Sequence, residues 1–405
     1  AAPLTQVPQD EQYRIGHDGT KFGIPEVDKD ATACTNIHQG GIVEDQSGQW
    51  WALLMMDFHS IGRTVTLAPV TWKDGWPMLG LEGNLGRAPR TWFKPDINAG
   101  AIRHHAPYER SEDFNGKSLG RVWQWNHNPD DKKWGLKNGR LRLQSMPAEQ
   151  LMWARNTLTQ RVIGPRSIVT VELFTTGMKD GDVAGLGNVN VPCSWIGVVK
   201  DGKTATLRCF EQAVNDTVEV GGGAVDSGKL WLRMVGDYDK DSAHYEYSLD
   251  GVQYHQLGRE MPLSYQLISF QGSRHALFAF NSKGKEGGYA EFDNFTVEEP
   301  LADRSGNIPY GKTFRIINLA TEKPMIALSH GLIYDTDAND YSEQTRFRLV
   351  NKGHGQVVLQ CEDGRYVFCS GYGIAGDVRL TTDESKAEVF LWQDYLGHEF
   401  MLMSM

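Results

Sequence analysis

The first readable pattern is a set of three short apolar or β-branched runs separated by polar turns. Ile37-His38-Gln39-Gly40-Gly41-Ile42-Val43 is followed by Trp50-Trp51-Ala52-Leu53-Leu54-Met55-Met56, and then by Gly62-Arg63-Thr64-Val65-Thr66-Leu67. Glu44 to Gly48 and Asp57 to Gly62 supply the turns, and Pro69-Val70-Thr71-Trp72-Lys73-Asp74-Gly75-Trp76-Pro77 closes the block. Segments 50–56 and 64–70 are too short for ordinary helices and too rich in Trp, Val and Thr to prefer them. The block therefore predicts antiparallel strands of one small sheet. Residues 77–110 follow as a Gly/Pro/Arg-rich strap with little periodicity, expected to run along a surface and to be tied down by Trp92 and Phe93.

A second pattern begins near Ser111. Short alternating segments, among them Ile168–Leu173, Ser194–Val199, Leu230–Val235 and His244–Ser248, are punctuated by Lys137-Asn138-Gly139, Lys200-Asp201-Gly202 and Leu249-Asp250-Gly251. Many short strands at near-regular spacing predict a two-sheet sandwich. From Tyr310 onward the chain repeats itself. Phe314-Arg315-Ile316-Ile317-Asn318 recurs as Phe347-Arg348-Leu349-Val350-Asn351 and more loosely as Phe390-Leu391-Trp392-Gln393-Asp394, each followed by an apolar strand ten residues after its Phe. Such an array suggests a β-trefoil. With Glu362 to Phe368 (EDGRYVF), it is similar to the trefoil modules of fascin-like and arabinose-binding proteins. The third copy stops after its second strand, so the expectation is an open or incomplete module.

Length and composition narrow the class. A chain of 405 residues suggests two to four domains. A net charge of −10 argues against nucleic acid as a partner, which calls for a basic footprint. No apolar run approaches membrane-spanning length, so no membrane partner is expected. Ala1-Ala2-Pro3-Leu4 lacks the basic and hydrophobic parts of a signal peptide. A processed secreted protein would look like this, and an extracellular or periplasmic location is the expectation, with the cytoplasm still open. The five cysteines (Cys34, Cys193, Cys209, Cys361, Cys369) show no C-x-x-C spacing. Cys193 with Cys209 and Cys361 with Cys369 are candidate pairs, and buried free thiols are the alternative. There is no G-x-S-x-G elbow, phosphate-binding loop or H-E-x-x-H helix, and no organic cofactor is expected. The adjacent His104 and His105 point opposite ways in an extended strap and do not suit one metal.

The wording of the first block resembles the last blade of the five-bladed propeller of glycoside hydrolase family 43, the β-xylosidases and α-L-arabinofuranosidases. The similar stretch runs through HQGG at 38–41, WWALL at 50–54, GR at 62–63 and PVTWKDGWP at 69–77. Residues 112–298 resemble the concanavalin-like sandwich that follows that propeller in many members. The resemblance implies an all-β chain: a propeller remnant with its strap over 1–110, a jelly-roll β-sandwich over 111–300 and a β-trefoil-like module over 308–405. It implies that His38 lies on the propeller axis beside a water or metal ion, and that Arg63, with Gln39 nearby, points into a sugar pocket. The bland alternative makes His38 a satisfied core histidine and Arg63 a surface charge at a turn. Family members carry a general base, a pKa-tuning Asp and a general acid Glu upstream of this blade, and none of the acidic residues before Ile37 sits in such a motif. Two carboxyls about 6.5–9.5 Å apart are what inversion requires.

Other candidate sites are weaker. Asp113 and Asp293 stand on the first and last sandwich strands and are placed to share a structural Ca²⁺, or else are plain turn residues. Trp123, Trp125 and Trp134 are candidate sugar platforms, with core packing the commoner fate of Trp. Asp363, Tyr366 and Asp377 are the trefoil candidates for sugar contact. Three readings follow. One is a portion of an arabinoxylan-degrading, inverting exo-glycosidase without a recognisable carboxylate triad. Another is a non-catalytic binder of xylan or arabinan. The third is residual hydrolysis from His38, Arg63 and nearby carboxylates such as Glu44 and Asp57. The partners expected are plant cell-wall polysaccharides or oligosaccharides, and either a second polypeptide carrying the upstream blades or another copy of the chain. A lone blade exposes faces and edges, so it is expected to pack on the sandwich or on such a partner.

Overall fold

The computed structural model describes residues 37–80, 109–299 except 192, 213–216, 227, 239 and 265–270, and 308–404 except 319–320, 330, 335–341, 354–355, 371–376 and 395–399. The strap aromatics, the His104-His105 pair, Cys34 and the acidic residues before Ile37 lie outside the described residues. What is described is built of strands, joined by turns and single 3-10 turns.

The first block is a four-stranded antiparallel sheet in chain order: β1 (Ile37–Glu44), β2 (Trp50–Phe58), β3 (Gly62–Lys73) and β4 (Trp76–Leu79). Asp45 makes the first turn. Its Oδ1 accepts from the Ser47 and Gln49 backbone N–H groups at 2.8 and 3.1 Å, and its Oδ2 from Trp51 Nε1 at 2.8 Å. These donors, the Ser47 hydroxyl first, hold its carboxyl down at about 2. The Asp74-Gly75 pair closes β3 onto β4 with both residues at positive φ, as a tight hairpin requires. Ala52, Leu54, Ala68, Val70 and Leu79 form a small core on one face. On the other face Val43 and Leu53 are half exposed and Val65 is 76% exposed.

The sandwich has two sheets, of seven and eight strands, with strands running from Gln124 to Glu298. Period-two alternation sends Val169, Val171 and Leu173 of one sheet against Leu186, Ile196 and Leu277 of the other in a single core. Gly185 and Gly197 are cross-strand partners. A Cβ on either would fall within 2.3 Å of a backbone carbonyl oxygen opposite, so both positions exclude a side chain. Of the candidate platforms Trp123 is core, packed between Phe114 and Phe295, and Trp125 meets Trp134 at 4.9 Å against that core.

In the C-terminal module each repeated unit is a strand pair. Strand Phe347–Gly353 pairs with Gln356–Cys361, and Phe390–Asp394 with Phe400–Ser404, while Ile317 bridges Pro324 in the first copy. The copies join through their repeated positions: Phe314 lies opposite Phe347, and Phe390 opposite Val357. All three Phe share one core. The described strands here form one branched sheet and a separate hairpin, Met325–Ala327 with Leu332–Tyr334.

Of the two alternatives for the cysteines the structure holds the second: Cys193, Cys209, Cys361 and Cys369 are free thiols. Cys209 faces the inter-sheet core and Cys193 the outer cluster around Trp195, so their sheet lies between them. Tyr366 pairs with Gln360, which carries Cys369 along its strand away from Cys361. Burial pushes the first pair up to about 12 and the second to about 11, as expected of inert structural thiols.

Candidate functional site

The small sheet brings its two candidate positions to one end. His38 is the register partner of Met55, and Arg63 that of Asp57, two residues further along β2. The register brings the backbone of His38 and Arg63 near one end of β2, and the side chains of His38 and Asp57 lie outside the described residues. The register slips between His38 and Gly40, where Gln39 takes a φ of 48° and is exposed. Gly40 is obligatory beside it, since a Cβ there would lie 2.0 Å from the Leu53 carbonyl oxygen. This bulge re-aims the strand at the His38 end.

Glu44 cannot serve the same centre. It pairs with Trp50 at the far end of β1, six residues from His38, or roughly 20 Å at strand rise. A carboxyl there stands well away from the His38 end of the sheet.

The turn between β2 and β3 is docked on the sandwich. Ser60 N–H donates to Asp241 Oδ1 at 2.9 Å, and Ser273 N–H donates to the Ser60 carbonyl at 2.7 Å. Ile61 packs against the sandwich core and over Gly164. Arg161 Nη2 reaches the Arg63 carbonyl at 3.4 Å. The end of the sheet that carries Arg63 is thereby tied to one rim of the sandwich. This contact meets the expectation that the block packs on its neighbour.

The other candidates are scattered. Asp113 accepts from the Asn115 N–H at 3.0 Å, and bonds to Asn115 lower its carboxyl. Asp293 lies opposite Glu172, and burial, with the charges of Glu172 and Asp113 close by, raises it. The two carboxyls are close enough for each charge to act on the other, and a Ca²⁺ shared by them would draw its remaining oxygens from backbone carbonyls. Among the described residues no group of three or more His, Cys, Asp or Glu is placed to hold a metal. Asp363 is paired with Arg365 at 2.6 Å, and that guanidinium also holds the Leu328 carbonyl. The Tyr366 hydroxyl donates to Glu384 at 3.3 Å, and Asp377 pairs with Arg379 at 2.9 Å. Each is engaged by a different partner, and among the described residues they do not converge on one site.

Sequence reasoning also passed over two features. Trp153, on the 3-10 turn Leu151–Trp153, is 64% exposed, and Trp76 at the β3–β4 hairpin is 55% exposed. A Trp in a Gln/Met/Arg context carries no pattern that separates platform from core. Ser167 and His275 form a 2.9 Å hydroxyl–imidazole pair. Both are fully buried and no carboxylate orients the ring, so this is no nucleophile–base dyad.

With this geometry in view, comparison with known proteins assigns the class. Residues 111–298 match the domain described as the beta xylosidase C-terminal concanavalin A-like domain. A protein of Xylanibacter ruminicola, provisionally named a beta-xylosidase, is 31% identical over 59% of this chain and 44% of its own length. The beta-xylosidase of Formosa agariphila is 30% identical over 64% of this chain and 47% of its own. Among solved structures, a bifunctional GH43-CE protein of Bacteroides eggerthii is 31% identical with a TM-score of 0.58, covering 79% of this chain and 38% of that one. An engineered GH43 glycoside hydrolase with endo-xylanase and exo-arabinofuranosidase activity is 27% identical with a TM-score of 0.56, covering 68% of this chain and 57% of that one. The match thus spans less than half the length of the curated relatives. Fold and matches together define an all-β protein built on a β-xylosidase-type sandwich. The chain is similar to the C-terminal part of glycoside hydrolase family 43 proteins.

Proposed function

We propose that this chain is the sandwich-bearing part of an exo-acting, inverting β-xylosidase or α-L-arabinofuranosidase that trims arabinoxylan. The reading is supported above all by the β-xylosidase-type sandwich with the small sheet docked on its rim through Ser60 and Ile61. In this reading the His38 and Arg63 end of the sheet floors the sugar pocket. The Arg63 guanidinium donates to sugar hydroxyls and holds the ring, while the acid that protonates the leaving group and the base that activates water come from residues other than those of this chain. Among described carboxylates Glu44 is too far from His38 to take either part. The test is hydrolysis of aryl-xyloside and aryl-arabinofuranoside by the chain alone. The expected rate does not exceed that of a His38→Ala variant, and turnover that disappears in that variant would place the chemistry within this chain.

A carbohydrate-binding role is favoured by one observation, the exposed Trp153 ring on a short turn anchored by buried Leu151. An indole face of this kind stacks on the C–H face of a pentose. Migration of the chain in gels containing arabinoxylan is expected to be retarded, and a Trp153→Ala change to remove most of the retardation. Equal mobility of the two proteins would remove the binding role from this residue.

A further inference from the structure

The interior of the sandwich is polar along one line. Gln160, His275, Asn188, Ser194 and Glu211 are successive cross-strand partners on five adjacent strands of the eight-stranded sheet. None is more than 5% exposed. By strand alternation they share the face of Leu277, Leu186, Ile196 and Cys209, which line the inter-sheet core. Three of them reach across to the opposite sheet. His275 Nε2 lies 2.9 Å from Ser167 Oγ, Ser194 Oγ lies 3.0 Å from the Tyr245 hydroxyl, and Glu211 Oε2 accepts from Arg259 Nε at 2.9 Å.

Gln160 Nε2 donates to the Arg110 carbonyl at 2.9 Å, but four other polar atoms of the row meet no protein group among the described residues. Gln160 Oε1, Asn188 Oδ1, Glu211 Oε1 and His275 Nδ1 are buried without a partner, as is the Tyr238 hydroxyl. That hydroxyl lies over Gly236, where a Cβ would approach it to 2.6 Å, and Gly236 stands opposite Ser167. Native interiors leave few polar groups unpaired. Five around a single row point to a guest rather than to chance. The guest's chemistry follows from the atoms. Two amide oxygens and one carboxylate oxygen only accept, so the guest must donate. The Arg259 guanidinium already answers the one carboxylate, which leaves no net charge to attract a cation. A hydroxyl group donates to such acceptors and accepts from Tyr238 as well.

We infer that this row is a binding site for a file of hydroxyl groups held between the two sheets, supplied by ordered water or by a small polyol such as a pentose. The strand spacing suits it. Neighbouring side chains about 4.8 Å apart let one oxygen sit about 2.8 Å from both, near its tetrahedral angle. The file leads to the docked turn. Ser273, two residues before His275, bonds the Ser60 carbonyl, and the Ser273 and Ser60 hydroxyls are buried and unpartnered in turn.

Magnetisation transfer from solvent to backbone amides of the deuterated full chain tests this. Long-lived cross-peaks are expected at the amides of Asn188, Ser194 and His275, which strand pairing otherwise shields. Asn188→Leu is expected to abolish them at Ser194 and His275. Added D-xylose separates the two sources: persistence of the solvent peaks assigns the file to water, and their replacement by contacts from xylose C–H protons assigns it to the polyol. Absence of both kinds of peak would overturn the inference. So would a crystal structure of the unaltered chain in which the Asn188 and Gln160 amides, flipped, pair directly with protein groups and no density lies between the sheets.

Discussion

Between pH 8 and pH 5 the sandwich is expected to lose about 2 kcal/mol of stability through one residue, His275. Its imidazole lies between the sheets against Ser167, and burial, helped by the nearby Arg110 charge, pushes its pKa down to about 3. The sign follows from counting protons. In the unfolded chain this histidine titrates near 6.5, so below that pH the unfolded state binds a proton that the folded state refuses. Stability is therefore full above about pH 6.5 and falls by about 1.4 kcal/mol per unit as pH drops towards 3. Carboxylates held low, such as Asp45 and Asp250 at about 2, begin to lose their contribution only in more acid solution. Urea midpoints for the wild type and His275→Gln at both pH values isolate the effect, because glutamine keeps a polar partner for Ser167 without titrating. The variant is expected to lose less than half of what the wild type loses. Equal losses would mean that His275 is protonated in the folded protein.

Gly272→Ala is expected to detach the small sheet from the sandwich. A Cβ at this position would lie 1.7 Å from the Ile61 carbonyl oxygen, 2.3 Å from its carbon and 3.0 Å from the Gly62 nitrogen. All three are backbone atoms, so no rotamer change relieves the clash and the turn must move outward. It then loses two bonds, Ser60 N–H to Asp241 and Ser273 N–H to Ser60, together with the burial of Ile61. Two net hydrogen bonds and one buried aliphatic chain amount to roughly 3–5 kcal/mol. Cleavage by a protease acting on the open form rises with the open population, so cuts within 37–80 are expected to accelerate by about a hundredfold or more. Melting of the sandwich itself is expected to change little, since Gly272 packs outside its core. An unchanged cleavage pattern would show that Ser60 and Ile61 do not hold the sheet in place.

Much of the architecture was legible because strands advertise themselves at short range. The alternation in Leu230–Val235 and Ile168–Leu173 predicts which side chains point inward, and these segments do line the core. The recurrence of Phe314, Phe347 and Phe390 at matching offsets predicts a shared core, and they share one. The hairpin at Asp74-Gly75 is written in two adjacent residues. Proximity between distant segments is not written that way. Spacing left the cysteines open between pairs and free thiols, because it does not tell which face of a strand a thiol occupies, and the structure holds the free thiols. Glu44, near His38 in sequence, is carried away from it by the strand they share.

What the amino-acid sequence determined by itself is the class of element, the inward-facing set on each strand, and the resemblance of its first block and sandwich to one family. Only the tertiary structure decided which of those inward residues become neighbours. Gln160, Asn188, Ser194, Glu211 and His275 lie on five separate strands, and pairing register alone aligns them into one row. Ser60 meets Asp241 across 181 positions for the same reason. The cause is that a side chain's face follows from a local period of two, whereas its neighbour depends on register, which the whole sheet settles at once.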